Sequence, residues 1–220
     1  MNTLPTLAIL GGTGKEGKGL AYRWAKAGYP VIIGSRTRAK AESAARDLNL
    51  RLGKEAVSGL ENQAAATRGE ILVLTVPYSA HRTTIAAIRD AAQGKILVDV
   101  TVPLVPPKVT KVQLPAAGSA AQEAQDILSE GVNVVAAFQN ISHEHLFSDA
   151  PAHCDVLVTG KGKAARQRVL QLVADAGFQG WDAGVIENAA VVEGLTSLLI
   201  YINKQHKIKS AGIKITGIND

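Results

Sequence analysis

The chain has 220 residues, of which 46% are hydrophobic and 20% charged, a composition that suits a globular protein with a buried core. It excludes a largely disordered chain, because disordered segments are poor in apolar residues. No apolar run approaches the roughly 18 residues that a bilayer-spanning helix needs, and the first residues lack the cationic start and apolar core of a signal peptide. We therefore expect a cytoplasmic protein that has no membrane partner.

The charge balance favours an anionic partner without naming one. Lys and Arg total 24 against 19 Asp and Glu, which gives a formal net charge of +5. The chain has only three Phe, four Tyr and two Trp, and its basic residues are scattered, so nucleic acid is not the expected partner. The single cysteine, Cys154, cannot form an internal disulfide, which indicates a reducing compartment.

Strands and helices are predicted to alternate through the first half of the chain. Short and nearly continuous apolar runs, typical of strands covered on both faces, occupy residues 6–11, 30–34, 71–76 and 96–100. Segments with helical spacing or composition lie between them at residues 17–27, 38–49 and 80–92. This alternation predicts an α/β fold with a doubly wound, Rossmann-type, mostly parallel sheet.

The second half of the chain is less regular. After a proline-rich stretch at residues 103–115, the pattern predicts a helix at 119–128, strands at 132–138 and 155–159, and helices at 164–176 and 188–205. We interpret residues 1–138 as the Rossmann domain and residues 139–220 as a smaller C-terminal α/β annex. The last helix has an apolar stripe, which either packs internally or forms a symmetric dimer contact; its members are Val191, Leu195, Leu198 and Ile202.

A glycine-rich loop follows the first predicted strand. It reads Gly12-Thr13-Gly14-Lys15-Glu16-Gly17, which is the G-x-G-x-x-G pattern between a strand and a helix. The first glycine permits the turn, the second allows a pyrophosphate to approach the backbone, and the third lets the helix pack against the strand. The context predicts dinucleotide binding; the alternative is a tight turn without a ligand.

The end of the second strand distinguishes between dinucleotides. An NAD site usually has a carboxylate there for the ribose 2′-hydroxyl, but this chain reads Gly34-Ser35-Arg36-Thr37-Arg38-Ala39-Lys40. A hydroxyl and three cations suit a 2′-phosphate, so the predicted cofactor is NADP.

These segments resemble the NADPH-dependent reductases of coenzyme F420, an 8-hydroxy-5-deazaflavin hydride carrier. The resemblance rests on motifs spread over nearly the whole chain: Ile9 to Gly14, Gly34-Ser35-Arg36, Leu74 to Pro77, Val102-Pro103-Leu104, Val135 to Phe138 and Ala211 to Lys214. It implies reversible hydride transfer between NADP(H) and F420, usually in a homodimer.

The resemblance also implies roles for individual residues. The pyrophosphate would contact Thr13, Gly14, Lys15 and Glu16, with Gly12 and Gly17 as the other cofactor-binding residues of the loop, and the 2′-phosphate would contact Ser35, Arg36 and Lys40. The deazaflavin pocket would be formed by Val76, Pro77, Gln139, Asn140, Ile141, Ser142, Ala211 and Gly212, and Ala137 would be a further cofactor-binding residue. Gln139 departs from the family pattern, in which His is common. No dedicated acid or base is needed, because both partners are hydride carriers.

Other interpretations remain open. An NADPH-dependent imine or small-ketone reductase, similar to pyrroline-carboxylate reductases, would need a proton donor, for which Tyr78 or His81 are the candidates. A non-catalytic NADP-binding sensor is a further possibility. Asp99, inside an apolar strand, is either a general base or a hydrogen-bonded structural residue, and the second is favoured. The cluster of His143, His145, His153 and Cys154 lacks metal-ligand spacing, so no metal is expected.

Overall fold

The computed structural model describes residues 4–148 and 153–218. Within them eight strands form one sheet: β1 (Leu7–Leu10), β2 (Val31–Ser35), β3 (Val57–Glu61), β4 (Ile71–Leu74), β5 (Ile96–Asp99), β6 (Asn133–Ala136), β7 (Asp155–Gly160) and β8 (Gln179–Asp182). The helices are α1 (Lys15–Lys26), α2 (Arg38–Leu52), α3 (Asn62–Arg68), α4 (Tyr78–Ala92), α5 (Ala120–Leu128), α6 (His143–Leu146), α7 (Lys163–Asp175) and α8 (Ala189–His206). A single 3-10 turn, Ile186–Asn188, precedes α8.

The strand order is that of a doubly wound sheet. The sheet runs β3-β2-β1-β4-β5-β6-β7-β8, and the first six strands are mutually parallel. The order reverses between β1 and β4, which is where such sheets open a crevice for a ligand. The predicted α/β, Rossmann-type fold is confirmed.

The C-terminal strands extend the same sheet. Strand β7 pairs antiparallel with β6, and β8 then pairs parallel with β7. The α/β annex therefore shares its sheet with the Rossmann part, and the division at residue 138 stays a prediction.

Helices cover both faces of the sheet, which explains the continuous apolar runs in its central strands. In β1, Leu7 and Ile9 belong to one buried cluster with Trp24 of α1, whereas Ala8 and Leu10 belong to another with Ile85 of α4. Successive side chains of a strand point to opposite faces, so a strand buried on both faces must be apolar at every position.

The elements that sequence patterns did not predict lie mainly at the sheet edges. Strand β3 is fully buried only at Val57, and β8 has no fully buried residue. An edge strand needs no continuous apolar run, so the sequences of β3 and β8 contain no clear strand pattern. The helices α3 and α6 have seven and four residues, too few to show a clear helical periodicity. The structure also starts α1 at Lys15 and α4 at Tyr78, slightly earlier than predicted.

Helix α8 forms where the sequence predicted it, but its predicted stripe is not internal. Val191 is 69% exposed, Leu198 50% and Ile202 41%, whereas the buried apolar side chains are Val192 and Leu199. The prediction that the stripe packs inside the chain is therefore wrong for three of its four members, whereas Leu195 is half-buried. The alternative, a symmetric dimer contact, stays a prediction. Across residues 4–148 and 153–218, no helix combines the length and apolar character needed to cross a membrane.

Candidate functional site

A cavity of about 1290 Å³ opens at the carboxyl ends of the central strands. Its walls come from the loops after β1, β2, β4, β5 and β6, and from the inner face of α8. This is the position at which open α/β sheets bind ligands, at the reversal of strand order.

The glycine loop has the geometry that the sequence predicted. A Cβ atom on Gly12 would lie 2.7 Å from the carbonyl oxygen of Ile9, and one on Gly17 would lie 2.6 Å from the Cα of Gly12. Both separations are too short for a side chain, so the turn and the helix contact require glycine. A Cβ on Gly14 would meet nothing within 4 Å, which leaves space beside the loop.

Backbone donors at the start of α1 face this space. Gly14 is the N-cap residue of α1, and no side chain caps the helix. The first N–H groups of a helix lack intrahelical partners and attract anions. The loop therefore fits a pyrophosphate in both shape and charge.

Two of the three cations after β2 are available for a ligand. Arg38 Nε donates to Glu42 Oε1 at 2.7 Å and is held on the surface of α2. Arg36 and Lys40 line the cavity with Ser35, and neither forms an ion pair with any residue in the described part of the chain. Arg36 and Lys40 can therefore bind a 2′-phosphate, whereas the charge of Arg38 is already neutralised by Glu42.

The other end of the cavity presents buried hydrogen-bond acceptors. Gln139 Nε2 donates to the Asp99 carbonyl at 2.7 Å, and Asn140 Nδ2 donates to the Asp155 carbonyl at 2.7 Å. Thr196 of α8 further fixes this segment, because its hydroxyl donates to the Gln139 carbonyl at 2.7 Å. The side-chain oxygens of Gln139 and Asn140 are buried, and no donor in residues 4–148 or 153–218 reaches them. Unpartnered buried acceptors are costly, so this end fits a ligand that supplies N–H groups.

Most of the predicted binding residues meet in this one cavity. Those that line it are Thr13, Gly14, Lys15, Glu16, Ser35, Arg36, Lys40, Val76, Pro77, Gln139, Asn140, Ile141 and Ala211. Four predicted residues lie outside the wall. Gly12 and Gly17 shape the loop from behind, Ala137 is fully buried in the core, and Gly212 packs against Cys154.

Sequence reasoning missed two parts of the wall. One is the inner face of α8, with Thr196, Leu199, Ile200 and Asn203. Their spacing of three and four residues is typical of one helix face, but the prediction selected the more apolar face that contains Val191 and Leu198. The other part is the segment after β5, with Val102, Leu104, Pro106 and Val109, whose prolines gave no periodic signal.

A buried charged cluster lies directly behind the cavity. His81 Nε2 is 2.7 Å from Asp99 Oδ2, and His81 Nδ1 is 3.3 Å from Glu123 Oε2. Burial lowers the pKa of His81, but its hydrogen bond to Asp99 and its charge interactions with Asp99 and Glu123 outweigh this and raise the pKa above its usual value. Asp99 Oδ1 also accepts the Thr101 N–H at 2.9 Å. Asp99 is therefore a fully hydrogen-bonded structural residue, as favoured from the sequence.

Glu193 of α8 extends this cluster. Its carboxylate accepts the Ala120 N–H at 2.8 Å and the Ala121 N–H at 3.1 Å, so it binds the start of α5. Burial raises the pKa of Glu193 to about 8 although these two backbone N–H groups lower it. This cluster fixes the walls of the cavity and does not line it, apart from its neighbour Tyr78.

The histidines near residue 150 do not form a metal site in the residues described. His143 lines the cavity, His145 Nε2 lies 3.1 Å from the Ser210 carbonyl, and Cys154 is buried. Within residues 4–148 and 153–218, no group of three or more His, Cys, Asp or Glu side chains is arranged so that it could hold a metal ion.

The Rossmann sheet, the glycine loop and the unpaired cations after β2 define an NADP-dependent oxidoreductase. A family model described as "NADP oxidoreductase coenzyme F420-dependent" matches residues 6–103. The F420-dependent NADP reductase of Methanocaldococcus jannaschii is 40% identical over 221 residues, which cover 96% of this chain and 98% of the relative. The chain belongs to the F420-dependent NADP reductase family.

Solved structures support the fold. A crystal structure from Arthrobacter sp. FB24, whose name suggests an F420-dependent NADP reductase, aligns with a TM-score of 0.78 and 24% identity, covering 96% of this chain and 99% of that one. Pyrroline carboxylate reductase of Plasmodium falciparum with NADP bound aligns with a TM-score of 0.59 and 12% identity, covering 92% of this chain and 67% of that one.

Proposed function

We propose that this protein catalyses reversible hydride transfer between NADP(H) and the deazaflavin coenzyme F420. The observation that carries the proposal is one continuous cavity that runs from Arg36 and Lys40, past the glycine loop, to the buried acceptors of Gln139 and Asn140. Its volume of about 1290 Å³ exceeds the roughly 300–1,000 Å³ of a pocket for one drug-sized ligand. The cavity therefore has room for two coenzymes side by side.

At the first end, the Rossmann part of residues 1–138 would hold NADP. Ser35, Arg36 and Lys40 would bind the 2′-phosphate, and the backbone from Thr13 to Glu16 would bind the pyrophosphate. The cavity wall carries Lys15, Arg36, Lys40 and Lys209 against one carboxyl group, Glu16, so its charge favours a polyanion. Gly12 and Gly17 contribute by shaping the loop from behind.

At the second end, residues 139–220 would complete the deazaflavin pocket. Gln139 and Asn140 would accept hydrogen bonds from N–H groups of the pyrimidine edge or the nicotinamide carboxamide, and Val76, Pro77 and Ile141 would supply apolar walls. Ala211 lines this end, while Ala137 and Gly212 support it from the core.

The chemistry is the transfer of a hydride from C4 of NADPH to C5 of F420, with a proton taken up by the deazaflavin, and the reverse. The chain's part is to hold the two rings in contact and to exclude water. Because the hydride passes directly between coenzymes, no residue has to accept or store it. The His81–Asp99 pair is sealed from the cavity and acts on its walls, not on the reactants.

An imine or small-ketone reductase is the competing function. It would need a proton donor at the substrate, and of the two sequence candidates His81 is fully buried while Tyr78 lines the cavity. Purified protein with NADPH should reduce F420, seen as loss of the deazaflavin absorbance, and should leave pyrroline-5-carboxylate unchanged. Turnover of the imine without F420 reduction would favour the imine reductase over the F420 reductase, and binding of NADPH without either reaction would favour a sensor.

We propose further that the protein works as a homodimer in the cytoplasm. The exposed apolar stripe of α8, which includes Val191, Leu198 and Ile202, supports a symmetric contact between two copies. The single cysteine, which cannot form an internal disulfide, supports a location in the reducing cytoplasm. Light scattering should give twice the chain mass for the wild type and the chain mass for Leu198→Lys; a monomeric wild type would refute the dimer.

A further inference from the structure

Glu16 is a half-buried acidic residue in the cavity wall, and one of its carboxyl oxygens has lost its solvent without gaining a partner in the described residues. It is the second residue of α1, and its Oε1 atom is buried and receives no hydrogen bond. The other orphaned acceptors of this cavity belong to amides, which are neutral at any pH, whereas Glu16 can carry a charge. An uncompensated carboxylate at such a position would be costly.

The helix places Glu16 between the two halves of the site. Gly19 and Arg23 lie three and seven residues further on, on the same face of α1. A Cβ on Gly19 would lie 2.5 Å from Leu146 Cβ of α6, and Arg23 Nη2 donates to the His145 carbonyl at 2.6 Å. This face therefore turns toward the segment that follows β6. Glu16 follows the phosphate-binding backbone at Gly14 by two residues and lines the same cavity as Gln139 to Ile141, so we place it on the side of the loop that faces this wall.

Among the described residues, no charged group compensates Glu16. The ionisable groups of the elements around it include Lys15, Lys18 and Arg23 of α1, Arg36 after β2, Lys40 and Asp47 of α2, His143, Glu144 and His145 of α6, Asp175 of α7, and Lys209. Several have other partners: Lys18 pairs with Asp47, His143 with Glu144, and Asp175 accepts from Tyr29. Burial alone raises the pKa of Glu16 to about 8, so the free protein holds this side chain as a neutral acid at pH 7.

We propose that Glu16 is a positioning and charge-sensing residue that lies beside the nicotinamide ring and releases its proton when the ring is oxidised and cationic. This inference rests on the proposed function, because a dinucleotide whose pyrophosphate lies at Gly14 would pass Glu16 on its way to the hydride acceptor. The neutral carboxylic acid and NADP⁺ give a carboxylate beside the cationic ring and one proton in solution. NADPH has an uncharged ring and leaves the acid protonated.

The expected effect follows from linkage. An opposite charge within about 4–6 Å lowers a carboxyl pKa by roughly 1–3 units. A shift of one to two units makes NADP⁺ bind roughly 8- to 50-fold more tightly relative to NADPH at pH 9 than at pH 6. A tenfold change corresponds to about 30 mV in the potential of the bound two-electron couple. Higher pH would therefore favour hydride donation by NADPH on the enzyme.

The test measures the dissociation constants of NADP⁺ and NADPH from pH 6 to pH 9 for the wild type, Glu16→Gln and His143→Asn. Both coenzymes carry the 2′-phosphate, so its ionisation cancels in the ratio of the two constants. The ratio should change at least about eightfold with pH in the wild type and in His143→Asn, and should be flat in Glu16→Gln. A flat wild-type ratio, or a slope retained in Glu16→Gln, would overturn the proposal.

A second measurement needs no variant. Calorimetry of the wild type at pH 7 in two buffers of different ionisation enthalpy counts the protons released on binding. We expect NADP⁺ to release roughly 0.4–0.8 proton per chain more than NADPH does, because proton release from the 2′-phosphate is common to both coenzymes. Equal release for the two coenzymes would contradict the role of Glu16 while NADP binding stands. Failure of both coenzymes to bind would instead contradict the proposed function.

Discussion

Replacement of Arg36 by alanine tests the source of coenzyme selectivity. Arg36 lines the cavity after β2 without an ion pair in the described residues, so its charge is available to the 2′-phosphate. A hydrogen bond between charged groups contributes about 1.5–3 kcal/mol, which corresponds to roughly 10- to 150-fold in affinity. Arg36→Ala should therefore weaken NADPH binding by about that factor and leave NADH binding nearly unchanged.

The chain offers a matched control two residues away. Arg38 has the same charge and is the first residue of α2, but it is exposed and bonded to Glu42. Arg38→Ala should leave the affinities for both coenzymes nearly unchanged, because the guanidinium of Arg38 is already bonded to Glu42. Loss of this exposed ion pair should also change stability little. Both variants should keep the unfolding temperature of the wild type.

Fluorescence titration with NADPH and NADH at two salt concentrations measures these effects. The wild-type preference for NADPH should fall at high salt, because part of it is electrostatic, and Arg36→Ala should reduce this dependence. Equal losses of NADPH and NADH affinity in Arg36→Ala would refute the assignment of the 2′-phosphate site. A large loss in Arg38→Ala would contradict the distinction between paired and unpaired cations.

Two further predictions concern the loop and the buried cluster. Gly17→Ala places a methyl group 2.6 Å from Gly12 Cα and should lower the free energy of unfolding by about 1–3 kcal/mol in denaturant titrations. Gly14→Ala, whose methyl group would meet nothing within 4 Å, should keep nearly the wild-type free energy of unfolding and yet bind NADPH more weakly. Equal free energies of unfolding for the two variants would contradict the loop geometry. Glu193, with its pKa raised to about 8, binds its proton more tightly when folded, so wild-type stability should fall relative to Glu193→Gln as pH rises from about 4.5 to 8, by several kcal/mol. A difference between the two proteins that does not change with pH would show that Glu193 is ionised throughout.

The sheet was predictable from the sequence where strands are buried on both faces. The runs around Ile9, Ile33 and Val73 are apolar at successive positions because helices cover each side. Strands β3 and β8 lie at the sheet edges and are only partly buried, so their sequences contain no such run. The pattern of apolar residues along a strand reflects how much of the strand is buried, so this signal is weak in the partly buried edge strands.

The phosphate-binding part of the site was predictable because its chemistry is local. Spacing in the glycine loop and the cations after β2 are encoded within a few consecutive residues. The Asp99 carbonyl that orients Gln139, and the α8 side chains opposite it, come from distant parts of the chain and meet only in the fold. The orphaned carboxyl of Glu16 was likewise invisible, since the sequence does not report that its surroundings lack a counter-ion.

The most direct test of the account follows the hydride itself. NADPH carrying deuterium on one or the other face of C4 is mixed with F420 and the protein, and the reduced deazaflavin is analysed by mass spectrometry and NMR. Direct contact of the two rings in one cavity predicts that one of the two isomers transfers its deuterium to C5 of F420 without exchange into water. Deuterium that appears in the solvent, or a deazaflavin left unreduced with both isomers, would contradict the account.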